Sequence, residues 1–347
     1  MVEVRRMKAA MLYGVGDLRV EEIPIPEVGE GEMLVKVGAA TTCGTDLKIF
    51  RRGYVSGVIS YPTVFGHEWA GTVVEVGEGV EKFKPGDRVR AGNSAPCLKC
   101  PMCREGKYNL CENRTWLWGA YAEYIKVPKP IVELNAQKVP EHLSFEEAAV
   151  AEPLACVLHG ADRTGFRGGT VAIIGSGPIG LLHLQVALLR GADMVVVCDL
   201  SEERLRYAER LGASAVVNVR EEDPVEAVRK LTGGLGVDLA IEAVGTPATW
   251  VQAFKMAKKG GVVLEFGGCP PGAEVCFEAA PIHYGEVSVV GSFHASPRDF
   301  ERALRLIASG DVRVKPLITD RLPLERIREA FKRLIESRRE LKIAIIP

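Results

Sequence analysis

Residues 170–180 read TVAIIGSGPIG, an apolar run that passes directly into a glycine-rich turn and then into a segment with helical periodicity. Gly175, Gly177 and Gly180 match the spacing G-x-G-x-x-G after a predicted strand and before a predicted helix. The first glycine permits a tight turn, the second lets the backbone approach a pyrophosphate, and the third lets helix and strand pack closely. Pro178 suits the first helical turn, whose amides have no partner within the helix. The stretch therefore predicts a dinucleotide-binding site.

An acidic residue closes the next predicted strand. Asp199 lies about 20 residues beyond the glycine turn, where a carboxylate accepts hydrogen bonds from both ribose hydroxyls and repels the 2′-phosphate of NADP. Arg204 follows in the next helix, and a nearby arginine can accommodate such a phosphate. The prediction is NAD as cofactor in preference to NADP.

Strands alternate with helices around this motif. Ser201 is a candidate N-cap for a helix at 201–213, and apolar runs at 215–219, 237–245, 261–268 and 287–293 predict further strands. Such alternation indicates right-handed βαβ units and a parallel sheet covered on both faces, which is an α/β, doubly wound fold. The first 150 residues have short alternating runs joined by glycines, which predict a β-rich unit. Two amphipathic helices and a terminal strand follow residue 298.

Length and charge limit the classes of function. A chain of 347 residues is too long for one ordinary domain, so two domains are expected. The formal net charge of −1 argues against a nucleic-acid surface, which needs a basic excess. We find no signal peptide and no apolar run near the ~20 residues that a membrane span needs, and we predict a cytoplasmic protein.

Four of the nine cysteines crowd into one short segment. They are Cys97, Cys100, Cys103 and Cys111. Zinc binds four thiolates tetrahedrally at about 2.3 Å in closed structural sites, and short spacings let one loop supply three of them. This lobe, at about residues 92–113, is predicted to hold a structural zinc ion. A closed four-thiolate site has no open position for a substrate.

Three other segments carry candidate ligands for a second zinc ion. Cys43 lies in TTCGTD, His67 and Glu68 lie in GHEWAGTVVEVG, and Glu152 lies in AEPLACVLHG. A catalytic zinc takes about three protein ligands and keeps one open position. A thiolate, a neutral imidazole and a carboxylate would neutralise Zn²⁺ and leave a Lewis acid for an alcohol. The residues alone leave open whether Glu68, Glu152 or both bind the ion.

Together these segments closely resemble the medium-chain, zinc-dependent alcohol dehydrogenase family. GHEWAGTVVEVGEGVEKFKPGDRV is similar to its zinc signature, and CGTD, the four-cysteine lobe, EPLA and GSGPIG follow the family's order across essentially the whole chain. The resemblance implies a GroES-like, β-rich catalytic domain and a Rossmann domain, with the active site in the cleft. We expect the catalytic domain at residues 1–155 and 298–347, and the NAD-binding Rossmann domain at residues 156–297.

The resemblance also implies residue roles. Cys43 and His67 would bind the catalytic zinc, and Glu152 stands where alcohol dehydrogenases have a third cysteine, as in sorbitol, polyol and threonine dehydrogenases. Thr45 matches the hydroxyl that passes the proton of the alcohol outward. Lys48 stands where many relatives have the next relay histidine, which leaves open whether Lys48, water or the ribose completes the route. The expected cofactor contacts are Gly175, Gly177, Pro178, Ile179, Gly180, Asp199, Arg204, Val244, Phe266, Gly267, Gly268, Ser292 and Phe293.

The predicted function is hydride transfer between NAD and an alcohol or polyol, above all a secondary alcohol, giving a ketone or an aldehyde. L-Threonine 3-dehydrogenase and a non-catalytic NAD-binding protein are the alternatives. His294 replaces the polyol-binding arginine of sorbitol dehydrogenases, and Asn93-Ser94 replaces a histidine of threonine dehydrogenases. Trp116, Trp118 and Tyr54 are candidate pocket aromatics. We expect two zinc ions per chain, a homodimer or homotetramer, and no nucleic-acid or membrane partner.

Overall fold

The computed structural model describes residues 5–53, 59–337 and 339–347. Tyr54, one of the predicted pocket aromatics, lies outside the described residues. The chain divides into two compact units. Unit 1 contains residues 1–155, 295–310 and 314–347, and unit 2 contains residues 156–294 and 311–313. The chain passes from the first unit to the second within a helix.

The elements follow one another in chain order. The first strands of unit 1 are β1 (Arg6–Gly14), β2 (Asp17–Pro24), β3 (Met33–Thr41), β4 (Thr63–Val64), β5 (Trp69–Val76), β6 (Arg88–Ala91), β7 (Ser94–Ala95), β8 (Thr115–Trp116), β9 (Tyr124–Val127) and β10 (Ala136–Lys138). Its first helices are α1 (Gly44–Arg52), α2 (Pro101–Arg104), α3 (Lys129–Leu134) and α4 (Phe145–Ala149). Helix α5 (Ala151–Arg163) leads into unit 2.

Unit 2 alternates strands and helices as the sequence predicts. The strands are β11 (Gly169–Ile174), β12 (Ala192–Asp199), β13 (Ala215–Asn218), β14 (Val237–Glu242), β15 (Ala257–Glu265) and β16 (Ser288–Gly291). The helices are α6 (Pro178–Leu189), α7 (Glu202–Leu211), α8 (Pro224–Leu231), α9 (Pro247–Met256) and α10 (Ala279–His283). The chain then returns to unit 1 with α11 (Pro297–Ala308), β17 (Ile318–Pro323), α12 (Ile327–Glu336) and β18 (Lys342–Ile346).

The sheet of unit 2 is parallel throughout, with the order β13-β12-β11-β14-β15-β16. The predicted doubly wound fold is confirmed. Successive strands run outward in one direction from β11 to β13 and in the other from β14 to β16, so the order reverses between β11 and β14. In such sheets ligands bind beyond the carboxyl ends of the strands at this reversal. Ser201 caps α7 as predicted, because its side chain accepts a hydrogen bond from the amide of Arg204.

Unit 1 is built on mainly antiparallel pairing, with the order β10-β6-β5-β3-β18-β17, and β9 also pairs with β3. A smaller sheet has the order β2-β1-β4. The hydrophobic core of unit 1 includes Phe65, Trp69, Tyr121 and Phe331. The sequence analysis missed β17, whose residues ITDRLP mix polar and apolar side chains without clear alternation. Strand β18 is the element that matters for the site, because it pairs antiparallel with β3 at Ala344 and Thr41.

Helices long and apolar enough to cross a lipid bilayer are absent from the part of the chain that the structure describes.

Candidate active site

Cys43 is the N-cap residue of α1, the helix that follows β3. Its backbone is extended, with φ −121° and ψ 148°, and its Sγ accepts a hydrogen bond from the amide of Thr45 at 3.4 Å. Residues three apart on a helix lie on one face, so Thr45 and Lys48 follow each other along α1. Both side chains are half-buried. The predicted relay residues therefore lie on the helix that the predicted zinc ligand Cys43 caps.

The carboxylate of Asp46 holds two predicted ligands in place. Its Oδ1 lies 2.9 Å from Nδ1 of His67, and its Oδ2 accepts a hydrogen bond from the amide of Cys43 at 3.3 Å. The hydroxyl of Tyr121 donates to the same Oδ2 at 2.5 Å. An Nδ1–H donor to a carboxylate fixes the tautomer that leaves Nε2 free for a metal ion. Sequence analysis missed Asp46 and Tyr121, since neither belongs to a ligand-spacing pattern.

Glu68 is fully buried and its two oxygens differ. Oε2 accepts hydrogen bonds from the hydroxyl of Thr41 and, at 2.5 Å, from the ammonium group of Lys342. Lys342 also donates to the carbonyl of Thr42 at 2.8 Å. Oε1 is buried and has no hydrogen-bond partner in the described part of the chain. A buried carboxylate oxygen without a hydrogen-bond partner is available to coordinate a metal ion.

The donor atoms of Cys43, His67 and Glu68 all lie within 4.8 Å of one another. A thiol, an imidazole and a carboxyl oxygen at this separation suit a zinc ion with an open fourth position. Glu152 is buried, but within the described residues it does not belong to this group of mutually close donors. The sequence left open whether Glu68, Glu152 or both would bind the ion, and the donor distances bring Glu68 into one group with Cys43 and His67.

The protonation of these residues matches a site built for a cation. Burial and then the negative charge of Glu68 raise the pKa of the Cys43 thiol. Burial also raises the pKa of Glu152 to about 7. For His67, burial lowers the pKa, but Asp46 and Cys43 outweigh it and hold that pKa well above its ordinary value. Ionisation of the Cys43 thiol and the Glu152 carboxyl is therefore unfavourable unless a positive ion offsets the negative charge. A metal ion would provide that charge, because metal ligands bind in their deprotonated form.

The four-cysteine lobe brings its predicted ligands together. The Sγ atoms of Cys97, Cys100, Cys103 and Cys111 lie within 4.8 Å of one another and form no disulfide. Sγ of Cys100 and Sγ of Cys111 are 4.0 Å apart. A tetrahedron with Zn–S distances of about 2.3 Å has edges of about 3.8 Å, so this separation fits a zinc ion. The backbone N–H of Lys99 lowers the pKa of Cys97 to about 6, which favours the thiolate that zinc binds.

Two of the predicted pocket aromatics have different surroundings. Trp118 meets the His67 ring edge-on, with centroids 5.1 Å apart, and stacks on Phe65 at 5.9 Å. The Arg114 guanidinium instead lies 4.8 Å from the centroid of the Trp116 ring. Arg114 donates to the carbonyls of Tyr108 and Asn109, and burial lowers the pKa of its guanidinium. Trp118 therefore contacts a residue of the candidate zinc site, and Trp116 contacts Arg114.

The glycine turn of unit 2 has the shape that its motif predicts. Gly175 has φ +103°, and a Cβ on Gly180 would lie 1.8 Å from the carbonyl oxygen of Gly175. A Cβ on Gly177 would meet nothing closer than the Arg204 Nη1 at 3.9 Å. Gly177 thus leaves open space where the backbone can approach a pyrophosphate. Helix α6 begins at Pro178, and its unpaired first-turn N–H groups favour phosphate. The cradle fits a dinucleotide.

Asp199 lies at the end of β12, next to the glycine turn. Its Oδ2 accepts a hydrogen bond from the amide of Ser176 at 2.7 Å, and its Oδ1 accepts one from the amide of Ser201 at 2.8 Å. These bonds hold the carboxylate beside the turn, with Arg204 in the first turn of the next helix. The arrangement keeps a negative charge at the predicted ribose position.

Apart from Ile179, which lies in the first turn of α6, the remaining predicted cofactor residues follow the carboxyl ends of β14, β15 and β16. Val244 and Phe293 are large apolar side chains that are 44% and 48% exposed, as an accessible binding surface requires. Phe266 meets the ring of His183 at 4.7 Å, and Gly267 accepts a hydrogen bond from the indole of Trp250 at 2.9 Å. Ile179, Gly268 and Ser292 complete the predicted set within unit 2. The parallel topology brings these separate segments to one edge of the sheet.

Comparison with known proteins agrees with both halves of this description. Residues 29–136 match the family described as alcohol dehydrogenase GroES-like domain, and residues 178–309 match the family described as zinc-binding dehydrogenase. The chain is 35% identical over 351 residues to a sorbitol dehydrogenase of Bacillus subtilis, covering 99% of this chain and 98% of that protein. It is 36% identical over 353 residues to an L-threonine 3-dehydrogenase of Symbiobacterium thermophilum, covering 100% and 99%.

A solved structure has the same fold. It is a protein of Sinorhizobium meliloti 1021, described as a zinc-binding dehydrogenase and bound to NADP, with a TM-score of 0.92 and 36% identity. The match covers 99% of this chain and 100% of that one. The similarity to these relatives extends over both units, and each of the two family models matches residues of the chain. The chain belongs to the zinc-dependent medium-chain alcohol dehydrogenase family, oxidoreductases that combine a GroES-like domain, a Rossmann domain, zinc and a nicotinamide cofactor.

Proposed function

We propose that this protein transfers hydride between NAD and an alcohol or polyol, most readily a secondary alcohol, with a catalytic zinc ion. The observation that carries the proposal is the meeting of Cys43, His67 and Glu68, whose donor atoms lie within 4.8 Å of one another. A protein of this family that only sensed the nucleotide would need no such group. The orphaned Oε1 of buried Glu68 adds support, since it lacks a partner among the described residues.

The side chains around this group have distinct proposed roles. Cys43, His67 and Glu68 would hold the catalytic zinc, and Glu152 remains the alternative carboxylate ligand. Bound zinc would supply a Lewis acid for the substrate hydroxyl, and a bound nicotinamide cofactor would supply the hydride acceptor. The four thiols of the lobe hold a second, structural zinc ion.

Thr45 is the proposed acceptor of the proton that the substrate hydroxyl releases. Thr45 lies in the first turn of α1, and its amide contacts the thiol of Cys43. Lys48 is one turn further along the helix and is the proposed next member of the route. Trp118 packs against His67 and keeps water from one side of the imidazole. We infer that these residues orient the substrate and remove its proton, while Asp46 holds the imidazole.

Asp199 is the proposed reason for choosing NAD over NADP. Its carboxylate is held by the amides of Ser176 and Ser201 and would repel a 2′-phosphate. Arg204 opposes this preference, and the Sinorhizobium meliloti relative is bound to NADP. We therefore propose a preference for NAD with measurable use of NADP.

L-Threonine 3-dehydrogenase activity is the second candidate. The relative from Symbiobacterium thermophilum with that name is as similar as the sorbitol dehydrogenase, at 36% against 35% identity. Threonine also carries a secondary alcohol, so the same metal group would serve both reactions. The difference lies in how a site would hold the amino and carboxyl groups of threonine.

A substrate panel tests the proposal. Zinc-loaded protein is mixed with NAD and polyols, simple secondary alcohols or L-threonine, and NADH absorbance is followed. We expect turnover of at least one class, and loss of turnover with retained NADH binding in Cys43→Ala. Turnover of L-threonine alone selects the second candidate. NADH binding without turnover of any alcohol would leave the non-catalytic alternative.

Assembly and compartment are also proposals. We propose a homodimer or homotetramer, which light scattering on the purified protein tests directly. The sequence-based prediction of a cytoplasmic location is tested by fractionating cells that produce the protein.

A further inference from the structure

Two carboxyl side chains lie side by side under the predicted cofactor turns of unit 2. Strands β14 and β15 are parallel neighbours, and their last residues, Glu242 and Glu265, are paired in register. Register partners in adjacent strands point to the same face of the sheet. Two residues earlier on that face, Ala240 and Val263 pack with Phe254 of α9. Glu242 and Glu265 are exposed by 0% and 3%, so both carboxyls are buried between the sheet and α9.

Glu242 contacts the turns that follow both strands. Its Oε1 accepts hydrogen bonds from the amides of Val244 and Gly245, each at 2.8 Å. Its Oε2 lies against Gly267, where an added Cβ would be only 2.3 Å away. One carboxylate thus spans the turn at 243–246 and the turn at 266–268. These two turns carry the predicted cofactor residues Val244, Phe266, Gly267 and Gly268.

Glu265 has no such donors. Both of its carboxyl oxygens are buried, and neither has a hydrogen-bond partner in the described ranges. The indole N–H of Trp250 in α9 is already donated to the carbonyl of Gly267 at 2.9 Å. An ionised carboxylate in this position would be both desolvated and repelled by Glu242. Burial and then that charge raise the pKa of Glu265 to about 8.

The nearby basic side chain of α5, Arg163, is exposed and donates to the carbonyl of the β16 residue paired with Glu265, at 2.6 Å. Strands β11 and β16 have no ionisable side chains, and the basic residue of α9, Lys255, is exposed in its last turn. The ring of His183 in α6 contacts Phe266, the residue after Glu265. Burial lowers the pKa of His183 to about 3, so this imidazole is neutral and adds no positive charge. The charged group that acts on Glu265 is therefore Glu242.

We propose that Glu265 keeps its proton in the folded enzyme and donates it to Oε2 of Glu242, tying the turn after β14 to the turn after β15. Glu265 is a positioning residue: it acts on the cofactor turns through Glu242. When Glu265 loses its proton, two carboxylates face each other, the turns move apart and cofactor affinity falls. The inference rests on the proposed function only in assigning those turns to the nicotinamide cofactor.

The test compares wild type with Glu265→Gln, whose amide N–H₂ donates at every pH. NADH titrations of the zinc-loaded protein at pH 6.5 to 9.5 measure Kd. We expect the Kd of wild type to rise about fivefold above pH 8, while that of Glu265→Gln changes by less than about twofold. Glu274→Gln, which removes an exposed carboxylate of the same unit, should follow wild type. Identical pH profiles for wild type and Glu265→Gln would overturn the proposal.

A second measurement needs no cofactor. The pKa of Glu265 is about 8 in the folded state against an ordinary 4.5, so the folded state retains the proton more tightly. Wild type should therefore lose stability relative to Glu265→Gln as pH rises from about 4.5 to about 8, with no further change above that range. A constant difference in Tm across this window contradicts the proposal. Failure to bind NADH at any pH would refute the proposed function, and the Tm comparison would still decide the pairing.

Discussion

The ammonium nitrogen of Lys342 lies 2.5 Å from Oε2 of Glu68, although 274 residues separate them in the sequence. Strand β18 makes this possible by pairing with β3, which places the end of the chain beside the candidate zinc site. Burial lowers the pKa of Lys342, but the Glu68 carboxylate outweighs it and raises that pKa above its ordinary value. The ion pair engages Oε2 and leaves Oε1 as the oxygen available to a metal ion.

Replacing Lys342 tests this pair. Lys342→Met should lower the free energy of unfolding by about 3–5 kcal/mol, because it leaves the buried Oε2 of Glu68 without its ammonium partner. Urea unfolding of the zinc-loaded protein measures the change. Lys332→Met, at an exposed position of α12 in the same unit, is the matched control and should change stability by less than about 0.5 kcal/mol. Equal stability of the two variants would show that the pair contributes little.

Asp46→Asn tests the support of the zinc ligands. Both the Tyr121 hydroxyl and the Cys43 amide donate to Oδ2 of Asp46. In the variant, the side-chain N–H₂ group at that position is itself a donor and cannot accept either hydrogen bond. We expect zinc at the catalytic site to bind about 10–100-fold more weakly, since second-layer carboxylates of this kind have effects of that size. Competition with a chelator measures the affinity. Unchanged retention of zinc would mean that Asp46 only packs there.

Zinc content separates the two metal sites. Wild type should hold about two zinc ions per chain, and Cys103→Ser should hold about one and unfold at lower temperature, because three thiolates remain in the lobe. Elemental analysis and thermal unfolding provide the readouts. Cys276→Ser, at an exposed cysteine, is the control and should keep both ions. Wild type with one zinc ion and full activity would refute the catalytic-zinc proposal.

Cofactor choice is tested at Asp199. Asp199→Ala removes the charge that repels a 2′-phosphate, and it also frees the amides of Ser176 and Ser201. The ratio of kcat/KM for NADP to that for NAD should rise by roughly tenfold or more, which corresponds to about 1.4 kcal/mol. Asp193→Ala, exposed at the other end of β12, should leave the ratio unchanged. No shift in the ratio would remove Asp199 from this role.

Local features were the predictable part of this protein. The glycine turn at 175–180 depends on positive φ and close backbone approach, which only glycine allows, so its residue types identify it. The cysteine lobe is equally local, because short spacings limit where Cys97, Cys100 and Cys103 can point. Alternation of strand and helix likewise predicts the parallel sheet of unit 2, and the structure confirms it. Each of these inferences needs only neighbours in the sequence.

Contacts between distant segments were decided by the tertiary structure alone. The sequence left Glu68 and Glu152 as alternative candidates, because the convergence of donor atoms depends on how β3, β5 and α1 pack. The pairs Lys342–Glu68 and Glu265–Glu242 depend on strand order and register, which no residue spacing encodes. Propensity and spacing act over a few residues, whereas burial and charge pairing act between whichever side chains the folded chain brings together. That difference in range is why the motifs were readable from the sequence and the environment of their side chains was not.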